Sequence, residues 1–265
     1  MTRRQFTGGL VVAATAAAQT PKPNIVVILS DDHSYPYLGC YGGTGVRTPN
    51  LDRFAAQGMR FDRAFQAAPQ CVPSRTAVMT GRSPVGARMG RFNSPLPADV
   101  VTLPELLRNQ AGYFTGVCRR WFHLDGSGRP GPINGDIFAR NETLTWAKRI
   151  DFIDRTGDRN KTGAVVEQFL DKKPAGKPFF LWVNFSDPHH VWDRATGDGA
   201  TDPAKLQLPK HLPDLPGVRE DLARYIDEVN RMDSEFQMVI DVLERRGHSA
   251  NTLVVFMGRS EEHNV

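Results

Sequence analysis

The chain has 265 residues, 40% of them hydrophobic and 23% charged, enough for one large core or two modest ones. That composition excludes a fibre and a disordered polymer and admits a globular α/β enzyme. The formal charge of +4 would suit a polyanionic partner, but basic and acidic residues are interleaved rather than clustered, so no nucleic-acid partner is expected.

At the N-terminus, Thr2-Arg3-Arg4-Gln5-Phe6 precedes an apolar, Ala-rich run from Leu10 to Ala18 that is too short to span a bilayer. Residues 1–18 resemble a twin-arginine export signal, with Ala16-Ala17-Ala18 suited to cleavage before Gln19 and residues 19–23 as a linker. That resemblance implies the twin-arginine export machinery as a partner and a periplasmic or secreted bacterial destination. No other stretch is long and apolar enough for a membrane helix, so no stable membrane anchor is expected.

Residues 24–265 read as one domain. Asn24 to Ser30 is a continuous β-branched run, the pattern of a strand buried on both faces of a parallel sheet, and Asp31-Asp32-His33 falls at its C-terminal end. Ligands bind outside that end in open α/β sheets, so the two adjacent carboxylates are a candidate site. A helix follows, with Thr48 as N-cap, Pro49 at its first position, Leu51, Phe54 and Ala55 on one face, and Gly58 as stop. Thr102 and Glu105 form a capping box for the next helix, which Gly112 closes before a strand from Tyr113 to Cys118. A further buried run, Phe179 to Phe185, ends in Ser186-Asp187-Pro188-His189-His190. Apolar residues at helical spacing from Arg219 to Arg246, with Gly247 as stop, precede a last strand from Thr252 to Met257. The segments Asp125 to Gly135 and Arg194 to Pro216 are rich in Gly, Pro and Asp and read as long surface loops. Alternating strands and helices imply a mainly parallel sheet covered on both faces.

Three cysteines, Cys40, Cys71 and Cys118, are too irregularly spaced for a disulfide framework and show no CxxC metal pattern; at most one disulfide could form. Cys71 stands just before a helix that ends near Gly81, where backbone N–H groups face anions, and Arg75 adds a planar, fixed charge. On residue chemistry alone, a buried structural cysteine and a reactive one are equally open.

The segment Cys71-Val72-Pro73-Ser74-Arg75, followed by Thr80-Gly81-Arg82, resembles the signature of the sulfatase family. The resemblance runs from about Asn24 to Phe256, through Asp31-Asp32, Thr48-Pro49-Asn50-Leu51-Asp52 and Gly112-Tyr113-Phe114-Thr115. It implies an alkaline-phosphatase-like α/β fold with a mainly parallel mixed sheet between helices. It further implies that a maturase oxidises Cys71 to formylglycine, whose hydrated aldehyde carries two hydroxyls on one carbon. One attacks the sulfur and expels the alcohol; loss of the proton from the other re-forms the aldehyde and ejects sulfate. Asp31, Asp32 and modified Cys71 are implied as ligands of one divalent cation, usually calcium. Arg120 is implied as the basic residue on the sulfate, although many members carry lysine two positions before the histidine and Arg120 lies three before His123. His123 is implied as proton donor or stabiliser for the formylglycine hydroxyls, and His189 as the residue that meets the departing alcohol, with His190 a weaker candidate. The substrate class implied is a sulfated carbohydrate or aryl sulfate, and His123-Leu124-Asp125-Gly126 resembles the branch that includes heparan N-sulfatases.

The likeness breaks after Gly258. Where the family has an Asp followed by Asn or His, this chain reads Arg259-Ser260-Glu261-Glu262-His263, and arginine cannot ligate calcium. The expectation is therefore a truncated or frame-shifted chain that lacks the C-terminal part of the fold and is impaired in activity. A phosphonate or phosphate-ester hydrolase of the same superfamily, or a non-catalytic anion- or carbohydrate-binding relic, are the competing readings.

Overall fold

The apolar runs assemble edge to edge into one sheet in the computed structural model, which describes residues 21–90, 96–121, 146–193, 195 and 199–259. Its strands are β1 (Asn24–Leu29), β2 (Phe114–Arg119), β3 (Phe152–Ile153), β4 (Phe179–Asn184) and β5 (Thr252–Met257). They lie in the order β3-β2-β4-β1-β5, and every pairing among the described residues is parallel. All the carboxyl ends therefore open on one edge, which is where the polar residues after each apolar run collect.

Alternation along the strands sends successive side chains to opposite layers. Val26 and Ile28 of β1, with Phe179, Leu181 and Val183 of β4, pack against α1 (Pro49–Gln57), α5 (Thr162–Lys172) and α6 (Pro216–Arg245). Val27, Leu29, Phe180 and Trp182 face the other way, onto α2 (Cys71–Thr80), α3 (Leu103–Ala111) and α4 (Trp146–Arg149). Burial on both faces explains the unbroken apolar character of β4. Gly116 is required on β2 because a Cβ there would lie 2.6 Å from the ring of Phe169, which holds α5 against the sheet.

The helix signals act as their chemistry dictates, with local differences. Around α3 the capping box forms in both directions, and Gly112 takes the left-handed conformation at φ 75°. Helix α6 starts at Pro216, three residues before the apolar period begins, because proline is pre-set for a first turn. It ends as a Schellman motif: Gly247 N–H donates to Glu244 O and His248 N–H to Leu243 O. Thr48 does precede α1, but its hydroxyl is occupied elsewhere, accepting from Gly39 N–H and donating to Asp52. Asp233 of α6 instead accepts the amides of Asn50 and Leu51 at 3.2 and 2.8 Å, so a long-range carboxylate caps α1. Cys71 is the first residue of α2 rather than one before it. Helix α5 is an element beyond those expected, although Val165, Val166, Phe169 and Leu170 do carry helical spacing. The loop expected from Arg194 to Pro216 contains a 3₁₀ turn at Pro203–Lys205. The loop expected from Asp125 to Gly135 and the export segment 1–18 lie outside the described residues.

No disulfide joins the three cysteines. Among the described residues, no helix is long and apolar enough to cross a membrane.

One buried ion pair ties the second layer together. Glu105 Oε2 accepts from Thr102 N and Oγ1 at 2.9 and 2.8 Å and from Arg149 Nη1 at 2.7 Å. Arg149 also donates to the carbonyls of Leu96, Pro97 and Val100. Arg149→Ala would strand Glu105 and three carbonyls in the interior, and is expected to lower the unfolding free energy by about 3–5 kcal/mol. Urea denaturation checks this; a loss below about 1 kcal/mol, the size of a surface pair, would contradict it.

Candidate functional site

At the carboxyl edge, each parallel strand delivers a polar segment to one cluster. Asp31 and Asp32 follow β1, Arg119 ends β2 and Arg120 follows it, Asn184 ends β4, and Arg259 lies two residues beyond β5. Backbone bonds set these segments against each other. Asp31 N–H donates to Asp187 O at 3.3 Å, Arg120 N–H to Asn184 O at 2.9 Å, and His33 N–H to Arg259 O at 2.8 Å. Asp32 and Arg119 adopt left-handed φ of 54° and 69°, a conformation that aspartate tolerates but that is uncommon for arginine.

Asp31 is the centre of the cluster and is fully buried. The thiol of Cys71, brought in by the first turn of α2, donates to its Oδ1 at 3.8 Å. Arg75, one turn further along α2, places Nη2 at 3.3 Å from Oδ1 and donates through Nη1 to Asn184. Arg120 Nη1 lies 2.5 Å from Oδ2. Arg259 donates through Nη2 to Asp31 Oδ1 and, at 2.5 Å, to Asp32 Oδ1. His189 Nε2 stands 3.5 Å from Asp32 Oδ2. Burial pulls the pKa of Arg75 down, with Asp31 opposing and Arg259 assisting. Burial works against Arg259 as well, but Asp31, Cys71 and Asp32 outweigh it and raise its pKa.

The expected site residues are thus placed as follows. Asp31, Asp32, Cys71, Arg75, Arg120 and His189 come together in one cluster. Asp31, Cys71 and His189 offer ligand atoms within 4.8 Å of one another. His190 turns aside, its ring edge-on to Trp192. His33 is structural: its ring sits between the Ser30 hydroxyl and the Tyr37 carbonyl, and burial lowers its pKa to about 4 despite that carbonyl. The adjacent arginines divide their tasks, since Arg119 pairs at 2.7 Å with buried Glu235 of α6 while Arg120 turns to Asp31. His123, Glu261, Glu262 and His263 lie outside the described residues.

The donors implied for a divalent cation are present in Asp31, Asp32 and Cys71, but the facing carboxylate oxygens are already joined by one guanidinium. With Arg259 seated there, a divalent ion does not fit between them.

Beside the cluster opens a cavity of about 480 Å³ lined by Arg120, Trp121, Arg155, Arg159, His189 and Glu228, among others. The Arg155 guanidinium lies 4.3 Å from the Trp121 ring centroid. The cavity's acidic residues are Asp187 and Glu228, and Glu228 could not be picked out in sequence because it sits among the apolar positions of α6. Asn184 was missed for the opposite reason: it is the polar end of a run otherwise entirely apolar.

Comparison with known proteins places this geometry in a group. The family model described as Sulfatase matches residues 23–258. The chain is similar to arylsulfatase A of Bos taurus, 46% identical over 123 residues, covering 43% of this chain and 23% of that protein. It is similar along more of its length to N-acetylgalactosamine-6-sulfatase of Canis lupus familiaris, 29% identical over 93% of this chain and 52% of that protein. Among solved structures, Ps i-CgsB in complex with k-i-k-neocarrahexaose superimposes with a TM-score of 0.66 at 25% identity, over 90% of this chain and 58% of that one. The chain therefore spans about half the length of its longer-matching relative.

Glu228 provides a pH test of the cavity wall. Burial pushes its pKa up to about 7, with Asp187 assisting and the Asp193 amide and Arg231 opposing. The folded state thus holds this proton more tightly than the unfolded chain, and the contribution to stability falls as pH rises from about 4.5 to about 7. Glu228→Gln should flatten the decline of the urea midpoint across that window; parallel pH profiles for the two proteins would refute the assignment.

Proposed function

Because the chain belongs to the sulfatase family, we propose that it hydrolyses sulfate esters of sulfated sugars at the cluster around Cys71, after a maturase has converted that cysteine to formylglycine. The observation that carries this reading is the seating of Cys71 on the first turn of α2, against a buried carboxylate that also holds Arg75 and Arg120. When present, the formylglycine supplies a hydroxyl pair on one carbon, one to attack sulfur and one to drive sulfate out.

The surrounding residues bind and orient the ester. The positive end of the α2 dipole faces the incoming anion. Arg120 is the most accessible of the three guanidiniums on Asp31, with its side chain 16% exposed against 1% for Arg75 and Arg259, and it takes a sulfate oxygen. Arg75 stays behind it as a buried fixed charge. His189, half-buried between Asp32 and the cavity, delivers a proton to the departing sugar oxygen. Calcium would reach Asp31, Asp32 and Cys71 only after Arg259 withdraws, so turnover is expected to be slow while Arg259 holds them.

The sugar assignment rests on the name of the canine relative and on the saccharide bound in the solved neighbour. The twin-arginine pattern of residues 1–18 supports export to the periplasm or beyond, with Cys71 modified in the cytoplasm before folding buries it.

The test is steady-state hydrolysis of matched aryl sulfate and aryl phosphate esters by protein co-produced with a maturase. Slow sulfate turnover that vanishes in Cys71→Ala and drops about 10²-fold in Arg120→Ala is expected. Turnover that survives Cys71→Ala, or a preference for the phosphate ester, would overturn the reading.

A further inference from the structure

Residue 259 is delivered into the cluster by the backbone. Strand β5 pairs with β1 in register through Leu29 and Met257. The pairing continues past the strand ends, where Ser30 N–H donates to Met257 O at 3.1 Å and His33 N–H to Arg259 O at 2.8 Å. Gly258 permits this close approach, since a Cβ there would stand 3.1 Å from His33 O. The side chain at 259 is consequently buried at the mouth of the two carboxylates, and its guanidinium joins Asp31 Oδ1 to Asp32 Oδ1.

We infer that Arg259 is a tethered cation occupying the seat of a divalent ion, so that Arg259 and a divalent cation exclude each other at Asp31 and Asp32. Charge and geometry both require the exclusion. Three guanidiniums already face Asp31 and Asp32, and a divalent ion added without a departure would set five positive charges against two negative ones. A hard cation also needs several carboxylate oxygens directed at it, and the two that face each other here are spent on Nη2. Arginine cannot leave by losing its proton, because a guanidinium keeps its charge at any ordinary pH. The seat is therefore filled by the chain itself, and the cluster keeps a positive charge beside Cys71 whether or not calcium is supplied. An aspartate at 259 would reverse the situation, setting a third carboxylate beside the first two. The inference rests on the sulfatase reading only in taking the carboxylate pair as a cation seat.

Calorimetric titration of the full chain with calcium chloride tests it without any turnover, so a failed hydrolysis assay and a failed exclusion are separate results. Wild type should bind calcium at this seat about 100-fold more weakly than Arg259→Asp, and adding Asp32→Asn should abolish the gain. Wild-type affinity equal to that of Arg259→Asp would overturn the inference, as would a gain that survives Asp32→Asn. If Arg259→Asp does not fold, Arg259→Gln decides: affinity above wild type supports exclusion, and equal affinity refutes it.

Discussion

A carboxylate removed from water needs positive charge around it, and Asp31 obtains it from three arginines on three elements. Arg75 comes from α2, Arg120 from the end of β2 and Arg259 from the end of β5. Unpaired, that carboxylate would cost several kcal/mol or take up a proton. The pairing thus links the polar ends of separate strands to the helix that carries Cys71. Parallel topology makes the link possible, because it brings every strand's carboxyl end to one edge.

The same logic of buried charge extends into α6. Asp227, Glu228, Asp233 and Glu235 are all buried on a helix whose other inward positions are apolar. Each has a defined task. Asp233 caps α1, Asp227 accepts the amides of Ala195 and Thr201, Glu228 holds the Asp193 amide beside the cavity, and Glu235 neutralises Arg119. Helix α6 therefore does more than cover the sheet: it supports the loops around the candidate site. Asp187 shows how the supports join, since its carboxylate meets Arg231 of α6 while its carbonyl receives the Asp31 amide.

Local signals were legible in the sequence and distant pairings were not. The β-branched runs, the Thr102–Glu105 capping box and the glycine stops depend on neighbours a few residues away, and they correspond to elements within a few residues of where the pattern puts them. Asp31-Asp32 could be picked out because the pair follows a clear strand, whereas Cys71 and Arg120 were marked by the resemblance of their segments to the sulfatase family. Arg259 could be seen only as a break in a pattern. Its partners lie more than 220 residues earlier in the chain, and nothing local tells an arginine that fills a cation seat from one that faces solvent. The Arg149–Glu105 pair and the Asp233 cap were hidden for the same reason. Helix α5 carried a readable period, but it is short and lies between a loop and a stronger strand signal.

The dependence of the cluster on mutual charge compensation can be measured with a double-mutant cycle. Asp31→Asn, Arg259→Gln and the double variant would be compared with wild type by urea denaturation. Either single change removes the Asp31–Arg259 contact, so the two effects should fall short of adding, with a coupling of about 1–3 kcal/mol. Strict additivity would show that Asp31 and Arg259 do not hold each other, and would contradict the view that this carboxylate gathers the site.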